Sequence, residues 1–215
     1  MSWEQSRVGS SPTSGTNMAY HRTPTLNSDK NLQAYIIGLA IGDGNLSCVH
    51  KTTRLRISCD TKYPKLITRI SESLRLLLPQ NKVSMAKKKG NCVDIIIYSN
   101  HLEDLLGWKA EDGPKFRQAV RVPKWIMENK KCKIKCLQGL IETDGCIYND
   151  RGYPMVIFST IIPKLAENVK DSIISLGFSP RKYRIPQKVG AQFKYQIRLS
   201  KDVQKFLDLV RPDKS

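Results

Sequence analysis

Ile37-Gly38-Leu39-Ala40-Ile41-Gly42-Asp43-Gly44 and Gln138-Gly139-Leu140-Ile141-Glu142-Thr143-Asp144-Gly145 decide how this chain is read. Both stretches end an apolar helical run. Each sets a small residue four positions before another, Gly38 before Gly42 and Gly139 before Thr143, on one helix face. That spacing lets two helix backbones approach closely. Each stretch then closes on an acid and a glycine. The helix dipole opposes a carboxylate at that end, so local stability explains the acid poorly. If the two helices pack about a pseudo-two-fold axis, Asp43 and Asp144 converge at one end. Paired acids there repel unless divalent cations sit between them.

The segments downstream of the two stretches recur in the same order. Ser28 or Asp29 caps a first helix ending near Gly42, and Thr53 to Cys59 alternates as a half-buried strand. Pro64 opens a helix stopped by Pro79, and Lys82 to Met85 and Val93 to Tyr98 form a hairpin with Lys87, Lys88 and Lys89 at its tip. His101 to Leu106 and Pro123 to Met127 read as short helices. A helix from about Lys133 to Thr143 begins the second round, with strands near Ile147 and over Met155 to Phe158. Pro163 then opens a helix, Arg181 to Ile185 and Phe193 to Leu199 pair, and a helix spans Val203 to Val210. Pro64-Lys65-Leu66 returns as Pro163-Lys164-Leu165, an offset of 99 residues. Two copies of helix, hairpin, helix, hairpin, helix at a period of about 100 indicate a pseudo-symmetric duplication. The boundaries read from the sequence are 29–128 for the first repeat and 129–215 for the second. Residues 1–28, rich in Ser, Thr, Gly and Pro, read as a disordered or loosely attached tail.

Composition narrows the partner. The chain of 215 residues carries 36 Lys and Arg against 19 Asp and Glu, a net charge of +17. Such an excess points to a polyanion, above all nucleic acid. No apolar run reaches the length of a membrane span and no signal-peptide core opens the chain, so no membrane partner is expected. Six cysteines and three histidines lack zinc-ligand spacing, and the expectation is free thiols in a reducing intracellular compartment. That compartment is a prokaryotic cytoplasm, or an organelle matrix if the tail is a presequence. The strand segments place Arg54, Arg56 and Ser58 on one face and Lys194, Gln196 and Arg198 on another. From Arg181 to Lys201 there are basic residues and no acid. A β-ribbon can lay such side chains along a major groove. Lys87, Lys88, Arg181 and Arg184 join the expected DNA-contact set.

The two motifs, with their ten-residue contexts matching position by position, resemble the LAGLIDADG homing endonucleases in their single-chain, two-motif form. The resemblance covers roughly residues 31 to 215. It implies an α+β fold of two αββαββα repeats, whose four-stranded antiparallel sheets form a saddle over double-stranded DNA with a long specific target. It also implies that Asp43 and Asp144 bind divalent metal, helped by the main-chain carbonyls of Gly42 and Thr143. Mg²⁺ is the expected ion, with Mn²⁺ as a substitute and Ca²⁺ supporting binding without efficient cleavage. Lys115 and Lys214, also 99 residues apart, take the place of lysines that reach toward the scissile phosphate. Glu142 lies ahead of the metal ligand, is matched by Ile41 in the first copy, and is not read as catalytic. Where relatives often carry a polar-basic pair after the first strand pair, Cys59-Asp60 and Phe158-Ser159 stand here. The expected activity is site-specific double-strand cleavage by a monomer, because the two copies already supply both halves of a saddle. Other classes of reading are an RNA-splicing maturase acting on its own intron RNA, and a non-cleaving DNA-binding regulator. Retention of both aspartates favours cleavage.

Overall fold

The computed structural model describes residues 25–88, 90–188 and 191–214. The first repeat runs α1 (Lys30–Gly42), β1 (Gly44–Val49), β2 (Thr52–Asp60), α2 (Pro64–Leu77), β3 (Ser84–Lys87), β4 (Cys92–Tyr98) and α3 (Leu102–Leu106). After α4 (Lys124–Glu128), the second repeats it as α5 (Lys130–Asp144), β5 (Gly145–Asp150), β6 (Tyr153–Thr160), α6 (Pro163–Ser175), β7 (Arg181–Ile185), β8 (Lys194–Leu199) and α7 (Val203–Val210). The sheets are antiparallel with matching orders, β1-β2-β4-β3 and β5-β6-β8-β7. The α+β duplication expected from the sequence is the observed fold. No helix among the described residues is long and apolar enough to cross a membrane.

The caps explain where the central helices begin. Asp29 accepts the Asn31 and Leu32 N–H groups and starts α1. The helix expected from Lys133 starts earlier, because the Asn129 side chain accepts the Cys132 N–H at 3.1 Å and caps it at Lys130. Part of the segment read as a tail is tied down. The Asn27 N–H donates to the Leu77 carbonyl and its side-chain amide to that of Leu76. Residues 1–24, like Lys89, lie outside the described residues.

Every residue of α1 from Gln33 to Ile41 is buried, as expected of a helix covered on all sides rather than along one stripe. It packs along α5, and the glycines set how close the two come. A Cβ on Gly139 would lie 2.5 Å from the Tyr35 carbonyl oxygen and 2.6 Å from the Leu39 nitrogen. On Gly38 it would overlap the Cys136 carbonyl, and on Gly42 the Thr143 hydroxyl. The small residues at four-residue spacing are therefore the contact itself. Gly145 serves a different need: a Cβ there would meet its own helix, 2.5 Å from the Ile141 carbonyl oxygen.

Helices cover one face of each sheet. In β2 the buried side chains are Thr53, Leu55, Ile57 and Cys59, while Arg54, Arg56 and Ser58 lie on the opposite, open face. In β8 Ile197 and Leu199 are buried, which leaves Lys194, Gln196 and Arg198 on the open face.

Candidate active site

The two helix ends bring Asp43 and Asp144 together, and two clefts flank them. One, of about 660 Å³, is lined by Gly42, Lys115, Asp144, Cys146 and Lys194 among others. The other, of about 310 Å³, is lined by Asp43, Cys59, Asp60, Thr143 and Lys214 among others. The arrangement is crossed. Each cleft joins the aspartate of one repeat to the lysine and the helix-end residue of the other. Electrostatics show the same crossing: the lysine acting most strongly on Asp43 is Lys214, and on Asp144 it is Lys115.

Both lysines sit on helix-end carbonyls. The Lys115 ammonium donates to Ile41 O at 2.6 Å, to Ala40 O at 3.2 Å and to Gly42 O. The Lys214 ammonium donates to Thr143 O at 2.5 Å and to Gly145 O at 3.0 Å. Each thus neutralises the negative end of a helix dipole, worth about half a charge. Burial pushes both lysine pKa values down, opposed by the two aspartates.

The carboxylates pull the other way. Burial first, and then the charge of Asp43, push Asp144 up to about 6. Asp43 keeps an open side to solvent, yet the protein packed around the rest of it raises it too, with Lys214 and Lys115 opposing. Two carboxylates and two helix ends carry about three negative charges in all, faced by the Lys115 and Lys214 ammonium groups and, at Asp144, by Lys194 as well. Cys59 remains a thiol at neutral pH, since burial and Asp43 push it up to about 11.

The donor set fits a hard divalent cation. Carboxylate oxygens suit Mg²⁺, Mn²⁺ or Ca²⁺, whereas the Gly42 and Thr143 carbonyls expected to help them are taken up by the Lys115 and Lys214 ammonium groups. Among the described residues no group of three or more His, Cys, Asp and Glu side chains gathers into an all-protein cage. Mg²⁺ needs none, because it is commonly held by one or two carboxylates together with phosphate oxygens and water.

Strand register sorts the expected DNA-contact residues. Arg181 faces Arg198 across β7–β8, so it shares the open face, and Lys88 reaches Asp94 on the open face of the first sheet. Lys87 pairs with Val93, and Arg184 pairs with Tyr195. Both therefore project from the opposite face, where Arg184 stacks 3.5 Å from the Phe193 ring centre. Neighbours in a strand alternate faces, so Lys87 does not share the open face with Lys88, nor Arg184 with Arg181. Register also corrects the comparison of strand ends. Gly44 pairs with Ile57 and Gly145 with Phe158, so Cys59 and Asp60 correspond to Thr160 and Ile161.

One acid of consequence was not singled out by sequence reasoning, and a second was weighed only as a catalytic candidate. Asp94, the one acid in β4, is 3% exposed on the open face, opposite Ser58. It accepts the Ser58 hydroxyl at 2.6 Å and pairs with Lys88 at 3.0 Å and Arg56 at 3.6 Å. Burial works against its charge, but Ser58, Lys88 and Arg56 hold the carboxyl below its ordinary range. A lone acid in a run of Val and Ile was its only sequence signal. Glu142 was set aside as non-catalytic. It is the most heavily bonded side chain near the site, accepting from Tyr35, Arg69, Gln138 and the Asp213 N–H.

Residues 131–211 match the protein family described as LAGLIDADG-like domain. A search of curated proteins found no match. Among solved structures, I-DmoI in complex with DNA and Mn aligns with a TM-score of 0.61 at 19% identity, covering 84% of this chain and 96% of that one. I-DmoI in complex with DNA and Ca aligns at 0.57 and 16% identity, covering 85% and 88%. The N-terminal LAGLIDADG domain of DUF199/WhiA aligns at 0.56 and 12% identity, covering 86% and 85%. The second repeat thus matches the LAGLIDADG-like domain, and the chain as a whole shares the two-repeat fold of these structures.

Proposed function

We propose that the protein is a metal-dependent, site-specific endonuclease that cuts both strands of a long double-stranded DNA target. The crossed lining of the two clefts, Asp43 with Lys214 in one and Asp144 with Lys115 in the other, carries this reading. It supplies two equivalent carboxylate–ammonium sites side by side, one for each strand. The fold alone does not choose between cutting and binding, since the WhiA domain shares it. Carboxylates held against each other at two helix ends, against the dipole, have no structural use that would explain them.

Asp43 and Asp144 would hold the cations, with the Gly42 and Thr143 carbonyls adjoining. Mg²⁺ is the ion proposed, with Mn²⁺ able to replace it and Ca²⁺ supporting binding better than cutting; solved I-DmoI complexes contain Mn and Ca. Bound divalent cations supply charge stabilisation to the attacking and leaving oxygens of phosphodiester hydrolysis. The Lys115 and Lys214 ammonium groups stand beside the aspartates, where they can stabilise charge developing on phosphate oxygens. Arg54, Arg56, Lys88, Arg181, Lys194, Gln196 and Arg198 on the open sheet faces would grip backbone and read base edges. The test is cleavage of randomised long duplexes with Mg²⁺ or Mn²⁺ and sequencing of the cut ends. Defined ends on both strands support the reading, and intact DNA under every metal contradicts it.

A further inference from the structure

Lys214 and Lys115 do the same thing at the two helix ends, but they are held in place differently. Lys214 follows α7 in a short segment without helix or strand. Its neighbour Asp213 is fixed twice. The Asp213 N–H donates to Glu142 Oε1 at 2.9 Å, and its carboxylate binds Arg69 Nη2 at 2.6 Å. Arg69, from α2 of the first repeat, also donates through Nη1 to Glu142 Oε1 at 2.9 Å. Glu142 itself is 2% exposed and is fixed from the other side by the Tyr35 hydroxyl at 2.6 Å. The Gln138 amide, one turn back on α5, ties the Arg211 carbonyl at 2.9 Å. The tail segment is thus clamped at Arg211 and Asp213, immediately before Lys214.

Lys115 has no share in this clamp. Its loop is closed by Gln118, whose side chain bonds both the N–H and the carbonyl of Lys109 and the Gly113 carbonyl, each at 2.8–2.9 Å. At the α1 position that corresponds to Glu142 stands Ile41, which is apolar and buried.

We propose that Arg69 and Glu142 are positioning residues that hold Lys214, through Asp213, in the cleft with Asp43, so that one of the two strand cuts depends on them and the other does not. This rests on the endonuclease reading above. A buried carboxylate that joins α1, α2, α5 and the C-terminal segment would stabilise any fold, and that bland role predicts equal damage to both cuts. The positioning role predicts unequal damage. A displacement of about 1 Å in a catalytic group can slow a reaction by about a hundredfold, and of the two lysines only Lys214 depends on this clamp.

The experiment uses the full chain with Asp213→Ala, Glu142→Gln and Lys214→Met, on a supercoiled plasmid bearing the target and on a duplex labelled on each strand. Asp213→Ala removes the Arg69 contact from a half-buried site and leaves the buried Glu142 in place, so it keeps the test open if Glu142→Gln does not fold. Asp213→Ala and Lys214→Met should slow the same strand, about 10- to 100-fold, and nicked circles should accumulate. Their double variant should be no slower than Lys214→Met alone. Hydrogen exchange of the 207–215 peptide, measured without metal or DNA, should speed up in Asp213→Ala and Glu142→Gln. Equal slowing of both strands, or an unaltered rate on both, overturns the proposal. So does unchanged exchange at the C-terminal peptide. A wild-type protein that cuts nothing overturns the endonuclease reading instead, and the exchange result then judges the clamp by itself.

Discussion

Replacing Gly139 by alanine tests the helix crossing through the sign of its effect. In the interior of an ordinary helix, Gly→Ala stabilises by about 1 kcal/mol. Here the added methyl would sit 2.5 Å from the Tyr35 carbonyl oxygen and 2.6 Å from the Leu39 nitrogen. Ordinary van der Waals contact begins near 3.4 Å, so the helices would have to part by close to an ångström. The obstacle is main chain and cannot rotate aside. Overpacking of this kind costs about 1–3 kcal/mol, and a rigid backbone obstacle belongs at the upper end. After the propensity gain is subtracted, Gly139→Ala should lose about 2 kcal/mol. For a chain of this size that is a fall in Tm of about 4–8 °C. Gly38→Ala, which meets the Cys136 carbonyl from the other side, should behave alike. Differential scanning calorimetry in the absence of metal reads both. A rise in Tm would mean that the helices are not in backbone contact, and the convergence of Asp43 and Asp144 would lose its basis.

Further outcomes follow from the faces and the charges. Arg54→Ala, Arg56→Ala, Lys194→Ala and Arg198→Ala should each weaken DNA binding, by about 1–3 kcal/mol where a base is read, with affinity falling steeply as salt rises. Lys87→Ala and Arg184→Ala, on the far face, should change it far less, and a gel-shift titration that ranks the two groups alike would refute the register argument. Asp144, pushed up to about 6, binds a proton more tightly when folded than when unfolded. Between its unfolded value and about 6 the metal-free protein therefore loses stability from this group as pH rises. Asp144→Asn should consequently raise the metal-free Tm at pH 7, by an amount corresponding to at most about 3 kcal/mol, and the gain should vanish near pH 4. Divalent-ion affinity should fall as pH drops below about 6, which calorimetric titration measures. A destabilised Asn variant would show that Asp144 is not held against its own charge.

The duplication was legible because its signs are chemical and local. Small residues at four-residue spacing and an acid against the helix dipole need no tertiary information to be recognised. The open faces were legible where alternation is strict, as from Thr53 to Cys59. They were not legible in hairpins, where a basic run such as Lys87-Lys88 gives no hint of which residue faces which way until the partner strand sets the register. The start of α5 depended on a single side chain, Asn129, acting as a cap behind the short helix α4. Glu142 could not be interpreted from its neighbours at all. Its partners Tyr35, Arg69 and Asp213 lie 107, 73 and 71 residues away along the chain. Only the fold makes them a cluster.

The central claim is that Asp43 and Asp144 are there to hold cations for cutting rather than to support the fold or the grip on DNA. The most direct measurement is a cleavage time course beside a gel-shift titration on one identified target, for the wild type, Asp43→Asn and Asp144→Asn. Each substitution keeps the side chain's volume and removes its charge. Both variants should lose cleavage to the level of chelator-treated wild type while binding the target as well as the wild type does, or better. If either variant cut both strands at the wild-type rate, or lost cutting only because it no longer bound, the paired-carboxylate account would be wrong.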